Sequence, residues 1–238
     1  MTQIYRCHLE LHDSLYFATR EIGRLYETEP ILHNYALCYA LGFIDNPRYQ
    51  TQVDPENDYR YFCRHQVPQY QAHLTKLNEQ NIYVTPARTL RHTAVLNTWK
   101  YADNRYHVEM QKTQKNIPSF GRAKEIAPES QFEFFVISAN PITFPKWIRL
   151  GKWMSKAELF EIEHFANPQK RDNEKFTVPY PLNPLDVIFS HHVIQFDTIN
   201  MPPVSLIRNV KLEGCCYRIF QDNTTLTLPA NMTYHFQP

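Results

Sequence analysis

The 238-residue chain is 43% hydrophobic, and its 25 basic and 24 acidic residues give a formal net charge of +1. This hydrophobic content is enough for a substantial buried core, which excludes an intrinsically disordered chain. Five cysteines form an odd set without CxxC spacing, which is typical of reduced thiols in a cytosol and argues against a disulfide-rich secreted domain.

The first predicted element is a β-strand from Tyr5 to His12. Apolar residues at its odd positions alternate with polar residues at its even positions, which is the period of a strand with one buried and one wet face. No continuous apolar run precedes it, so we expect no signal peptide. The longest apolar stretch without charge, Ile31 to Ile44, is shorter than the roughly 20 residues that span a bilayer. We therefore expect a soluble, cytoplasmic protein with no membrane partner.

Two helices are predicted next. Thr28 and Pro30 open the first, whose apolar residues recur at helical spacing up to Gly42, and the second follows Pro68. Two strands follow, at 82–86 and, more deeply buried, at 132–138. Strand and helix units in this order predict an α+β sheet with helices packed on one face.

The carboxy-terminal half begins with a segment for which two structures are predicted. A capping box at Ser155 and Glu158 favours a helix through Phe165, whereas the alternation of the same residues favours a strand. The last third is rich in Pro, Asn and short β-branched runs, which predicts β-hairpins, one of them turning at Glu213 and Gly214.

Between the strands at 82–86 and 132–138 lies an excursion that holds most of the positive charge. Residues 88–124 carry eight Lys or Arg against two acids, whereas the rest of the chain carries 17 bases and 22 acids. Aromatic residues, Trp99 among them, are interleaved with these bases, a pattern typical of a surface that binds a nucleic acid by its phosphates and bases. The alternative is an ordinary solvated loop. The candidate contacts are Arg88, Arg91, His92, Lys112, Lys115, Arg122 and Lys124.

A second basic and aromatic segment, KWIRLGKWMSK, runs from Lys146 to Lys156 and contains no acid. On a strand, Trp147 and Arg149 would share one side, and Gly151 would let the backbone approach a phosphate closely. We predict that this segment contacts RNA; the alternative places both tryptophans in the core. The candidate contacts are Lys146, Trp147, Arg149, Lys152, Trp153 and Lys156.

Motifs for cofactors and metals are missing from the sequence. There is no Walker loop, no GxGxxG and no HExxH, so we predict neither a cofactor nor a metal site. A metal-independent ribonuclease would need an acid and a base close together, but His8 and His12 lie roughly 13 Å apart along a strand. The sequence therefore shows no catalytic pair, although the fold could assemble one.

Three stretches resemble a known family: TREIGRLYETEPILHNYALCYALG (19–42), IYVTPA (82–87) and WIRLGKWMSKAEL (147–159). The family is the small RAMP-type backbone subunit of the type I-D CRISPR Cascade surveillance complex. The resemblance implies an α+β, ferredoxin-like (RRM-like) RAMP domain spanning residues 1–238, with a long inserted thumb at 88–131 and β-hairpins at the carboxy terminus. It also implies that Arg20, Arg24, Arg149 and Lys152 contact RNA.

The function that the resemblance implies is that of a non-catalytic subunit. Such a subunit binds and caps the 5′ handle of the guide RNA, packs against the backbone and large subunits, and helps to contact target DNA near the PAM. The partners expected are therefore guide RNA, target DNA and other subunits of the CRISPR complex. The rival hypotheses are a metal-independent endoribonuclease that processes precursor guide RNA and an adaptor that binds only proteins.

Overall fold

The computed structural model describes residues 2–44, 68–101, 119–221 and 224–236. Within these ranges the chain forms fourteen strands and three short helices. The strands are β1 (Gln3–Leu11), β2 (Arg20–Ile22), β3 (Leu25–Glu27), β4 (Ile82–Val84), β5 (Arg88–Arg91), β6 (Ala94–Tyr101), β7 (Ser119–Ile126), β8 (Gln131–Ser138), β9 (Trp147–Leu150), β10 (Ser155–Ala166), β11 (Gln169–Val178), β12 (His192–Ile199), β13 (Leu206–Gln221) and β14 (Thr224–Pro229). The helices are α1 (Asn34–Ala40), α2 (Tyr70–Glu79) and α3 (Pro184–Val187).

These strands form three sheets. The main sheet has the order β4-β8-β1-β10-β9, with β5 also paired to β8. The second sheet has the order β2-β3-β7-β6, and the third has the order β11-β13-β12 with β14 also paired to β13. A mixed architecture dominated by β-sheet confirms the α+β prediction in its coarse form. The basic excursion is divided between sheets, because β5 belongs to the main sheet and β6 and β7 form a hairpin in the second.

The core forms around β1, which lies at the centre of the main sheet. Its odd residues from Tyr5 to Leu11 are buried as predicted, and Cys7 and Leu9 pair with Phe134 and Phe132 of β8. Helix α2 begins close to its predicted start and buries Leu74. Burial of these large side chains is the main source of stability for the described fold.

Three predictions about individual elements were wrong. Helix α1 begins after His33, not near Thr28, because Leu32 forms a β-bridge with Ala87 and holds the preceding chain extended. The helical alternative for the segment after Ser155 is overturned, because it forms the twelve-residue strand β10, held between β1 and β9. Gly214 is not in a turn but inside β13, where the ring of His191 packs against it.

The even face of β1 also differs from the prediction, because part of it is buried. Glu133 on β8 is fully buried there and accepts hydrogen bonds from Arg6 at 2.6 Å and Arg88 at 2.5 Å. His8 lies 3.4 Å from the same carboxylate and 2.8 Å from Glu161. Although burial raises the pKa of Glu133, the hydrogen bonds from His8 and Arg88 outweigh it and lower this pKa to about 2.

Glu133→Gln should destabilise the fold by about 3 kcal/mol at pH 7, because it leaves the partly buried Arg6 and Arg88 without their counter-charge. The folded-state pKa lies below the ordinary value of 4.5. The stabilisation by this carboxylate is therefore complete above pH 4.5 and is lost as the pH falls toward 2. Urea unfolding at pH 7 and pH 3 measures this. Glu161→Gln, at a half-exposed site, is the matched control and should cost less than about 1 kcal/mol. Equal losses for the two variants would contradict the account.

A second buried carboxylate, Asp186, joins α3 to three other parts of the chain. It accepts hydrogen bonds from the Asn34 amide and the Tyr83 hydroxyl, both at 3.0 Å, and from the backbone N–H of His235 at 3.2 Å. Burial raises the pKa of Asp186 to about 7, and these three hydrogen bonds only partly oppose that shift. In the folded protein the protonated form of Asp186 is therefore favoured below about pH 7.

The Asp186→Asn variant should become more stable relative to the wild type as the pH rises. In the wild type, a raised folded-state pKa means that stability falls as the pH rises from about 4 to 7, by roughly 1.4 kcal/mol per unit. The amide does not titrate, so the difference in unfolding free energy between variant and wild type should shift toward the variant between pH 5 and pH 8. Urea unfolding across this range measures it, and a pH-independent difference would show that Asp186 is ionised throughout.

Candidate nucleic-acid interface

The outward face of the β9–β10 hairpin carries the second basic and aromatic segment. β9 is the outer strand of the main sheet, with Ile148 buried and Trp147 and Arg149 exposed, as the alternation predicted. In the hairpin register, Lys156 lies opposite Arg149 and Glu158 lies opposite Trp147. Cross-strand partners point to the same side, so these four side chains share one face.

The charges on this face are only partly compensated. Lys146 lies 3.2 Å from Glu158, and Arg149 lies 3.8 Å from Asp13. The ammonium group of Lys156 lies 3.7 Å from the centroid of the Trp147 ring instead and makes no ion pair with a described carboxylate. Exposed ion pairs contribute little free energy, so a phosphate can replace the carboxylates.

The ring of Trp147 is contacted by cationic and imidazole side chains on this face. Lys156 covers its ring, and His12 meets the same ring in a T-shaped contact at 5.0 Å. Trp147 is 41% exposed, which fits the prediction that it lies on the surface and not in the core.

An aromatic cluster of Tyr16, Trp99 and Trp153 joins the two basic segments. Trp153, in the β9–β10 turn, stacks on Tyr16 with ring centroids 5.2 Å apart and planes at 24°. Trp99, on β6 of the other segment, lies 6.0 Å from Trp153 and 6.4 Å from Tyr16. Trp153 remains 53% exposed, and the ammonium group of Lys152 lies 5.9 Å from the Tyr16 ring. An exposed indole beside a lysine is suited to stacking on a base next to a phosphate.

Local packing requires a glycine at position 151. Its φ is +72°, and a Cβ at this position would lie 2.7 Å from the carbonyl oxygen of Tyr16 and 2.8 Å from Cδ1 of Leu15. The neighbouring N–H of Lys152 donates to that same carbonyl at 2.9 Å. Gly151 thus lets the turn pack onto the segment that carries Tyr16.

A second group of candidate residues lies on the opposite face of the second sheet. Arg20 pairs with Glu27, and Glu27 pairs with Lys124, so these side chains share one face. Trp99 lies three positions from Leu96, the partner of Lys124, and therefore points to the other face. The two basic segments thus contact each other through their aromatic residues, whereas Arg20 and Lys124 lie on the other face of the second sheet.

The remaining candidates are dispersed. Arg24 lies in the β2–β3 turn, and its carbonyl accepts a hydrogen bond from the N–H of Arg122 at 3.0 Å. Both residues are exposed. Arg88 is held by Glu133, and Arg91 lies 3.9 Å from Glu10. His92 is exposed, and the two remaining candidates of the excursion, Lys112 and Lys115, lie outside the described residues.

Sequence reasoning missed three contributors. Tyr16 stands alone in an irregular stretch, and no periodicity or motif marks it. The carboxylates of Glu27 and Glu29, which hold Arg20 at 3.3 and 2.9 Å, were also not foreseen. A charge count along the chain cannot show which cations are compensated by acids of another strand.

The histidines considered for catalysis have carboxylate partners. His8 lies between Glu133 and Glu161, and its pKa is raised chiefly by the hydrogen bond to Glu133. His12 lies 3.2 Å from Glu158. In the described ranges no group of three or more His, Cys, Asp or Glu could hold a metal, and no helix there is long and apolar enough to cross a bilayer.

Comparisons with known proteins identify a family. The model of the family described as type I-D CRISPR-associated protein Cas5/Csc1 matches residues 2–237. No curated protein matches the chain. Among solved structures, the chain is similar to one in the cryo-EM structure of the type III-B Cmr-beta bound to cognate target RNA and AMPPnP. The identity is 10%, the TM-score is 0.42, and the match covers 88% of this chain and 86% of that one.

Gly151→Ala should destabilise the protein more than Gly42→Ala does. Both glycines have positive φ, so each substitution costs about 1–2 kcal/mol in backbone conformation. Only at Gly151 does the added methyl group also meet backbone and side-chain atoms, which should add roughly 1–3 kcal/mol. Urea unfolding followed by tryptophan fluorescence compares the two variants, and equal losses would contradict the packing role of Gly151.

Proposed function

Because this chain belongs to the type I-D CRISPR-associated Cas5/Csc1 family, we propose that it is the subunit of a CRISPR effector complex that binds and caps the 5′ handle of the guide RNA. The observation that carries this proposal is the contact of Trp99 with Trp153. It brings two cationic segments that are distant in the sequence onto one aromatic surface.

The chemistry of this surface suits a single RNA strand. The exposed ring of Trp153 offers a face for a base, because base stacking requires an accessible π-surface and tolerates any sequence. Arg149 and Lys156 are cross-strand partners in the hairpin, and Lys152 lies in the turn that joins their strands, so the phosphates of one RNA strand can reach all three. Affinity should then come mainly from phosphate contacts and fall as the salt concentration rises.

The proposed domain organisation and the proposed DNA contact rest on family membership and on the geometry of the second sheet. We propose a ferredoxin-like body spanning residues 1–238, with a thumb at 88–131 whose base is the β6–β7 hairpin. His92, Arg122 and Lys124 lie near this base and are exposed, which suits contact with the guide RNA or with target DNA near the PAM. The other proposed partners are the backbone and large subunits of the complex.

We propose that the subunit is not an enzyme, and that a separate protein cleaves precursor guide RNA. The carboxylate partners of His8 and His12 support this, because each imidazole already lies within 3.2 Å of a carboxylate of the protein. Incubating the purified chain with precursor guide RNA tests it. Stable binding without cleavage supports the proposal, and specific cleavage would favour the endoribonuclease.

Replacing Arg149 and Lys152 together with Glu should abolish assembly on guide RNA. In fluorescence anisotropy with a handle RNA, we expect a large loss of affinity. The slope of log K against log salt should also become less steep by about two, one for each lost phosphate contact.

The matched control is Arg171→Glu with Lys175→Glu. These are exposed bases on β11 of the third sheet, and the control changes the net charge by the same amount. It should retain the wild-type affinity apart from a small, general electrostatic loss. Equal losses for the two double variants would show that net charge, and not the β9–β10 surface, determines binding.

A further inference from the structure

A cavity of about 220 Å³ lies between the β2–β3 hairpin and the base of the β6–β7 hairpin, lined among others by Arg20, Glu27, Glu29, His92 and Lys124. Arg20 lies 2.9 Å from Glu29 and 3.3 Å from Glu27, and Lys124 lies 3.4 Å from Glu27. Two cations thus share two carboxylates, so the formal charges of these four side chains cancel.

The backbone that carries the two carboxylates is held firmly. The N–H and the hydroxyl of Thr19 both donate to the carbonyl of Glu27, at 3.0 and 2.8 Å. The N–H of Glu29 donates to the same hydroxyl at 2.8 Å, and the N–H of Thr28 donates to the Lys124 carbonyl at 2.9 Å. The cavity is therefore lined by charged groups on a fixed frame, which is a requirement for selective recognition.

The charge pattern decides which ligands fit. A phosphate in this cavity would lie beside two carboxylates that the fixed backbone holds in place, and their repulsion would offset the attraction of the two cations. A metal ion would meet Arg20 and Lys124. The suitable ligand is neutral and presents hydrogen-bond donors beside acceptors, as the edge of a nucleobase does. The cavity is smaller than the roughly 300–1,000 Å³ of drug-sized sites, which is consistent with a single base.

Among the bases, guanine matches best. Its N1–H and N2–H₂ are adjacent donors that one carboxylate can accept together, and its O6 and N7 are acceptors for Arg or Lys. Adenine would turn its N1 acceptor toward the carboxylate, and cytosine offers a single amino donor. Oε1 of Glu29 has no hydrogen-bond partner among the described residues, so it is available as an acceptor.

We propose that this cavity receives the Watson–Crick edge of an unstacked guanine, with Glu29 accepting from N1 and N2 and Arg20 or Lys124 donating to O6. Single-stranded RNA is commonly recognised in this way, by its splayed bases. The inference rests on the proposed role in RNA binding. Because the cavity lies on the face opposite Trp99, it would take a different nucleotide from the one stacked on Trp153.

Titration of the full chain with free nucleosides, followed by saturation-transfer NMR, tests the proposal without any contribution from phosphates. Guanosine should bind at least tenfold more tightly than adenosine. Inosine, which lacks the 2-amino group, should bind about tenfold more weakly than guanosine. Glu29→Gln should abolish the preference for guanosine. Glu21→Gln, on the opposite face of the same hairpin, should retain it. Equal affinities for all four nucleosides, or a preference unchanged by Glu29→Gln, would overturn the proposal.

The two proposals can fail separately. If RNA binding depends on Arg149 and Lys152 but the protein binds guanosine no more tightly than other nucleosides, the cavity proposal is wrong and the β9–β10 interface is supported. If guanosine is preferred but replacing Arg149 and Lys152 with Glu leaves RNA binding intact, the β9–β10 interface is wrong and the cavity proposal is supported.

Discussion

The docking of two hairpins onto Leu15 and Tyr16 determines the arrangement of this surface. Leu15 forms a β-bridge with Ile126 at the base of the β6–β7 hairpin, and the carbonyl of Tyr16 accepts from the N–H of Lys152 in the β9–β10 turn. Only a glycine at position 151 allows the turn to approach so closely. These contacts place Trp99 and Trp153 beside each other, and without them the two basic segments would be unrelated parts of the surface.

Local charge compensation then separates the structural cations from those that are available to a ligand. Arg6 and Arg88 are bound by the buried carboxylate of Glu133, so they stabilise the sheet and are unsuited to phosphate contact. Arg20 and Lys124 are compensated at an accessible cavity, which favours a neutral polar ligand. Lys152 has no described carboxylate partner and lies beside an exposed indole, which favours a nucleotide.

The sequence predicted features that depend on local periodicity. The buried positions of β1 and the exposure of Trp147 and Arg149 follow from alternation along single strands. The sequence could not predict the pairing of Arg88 with Glu133, which are 45 positions apart, or the role of Tyr16. Such contacts depend on strand order and register, which the pattern of one strand does not contain. The basic residues were thus identified by type, but only tertiary structure shows which of them are compensated.

Ultraviolet crosslinking of the chain to a bound handle RNA, followed by mass spectrometry, tests the central claim most directly. If the aromatic cluster and the β9–β10 turn form the RNA-binding surface, crosslinked nucleotides should map to Trp153 and to its neighbours Tyr16 and Trp99. Crosslinks confined to the third sheet, with these three residues unmodified, would contradict the account.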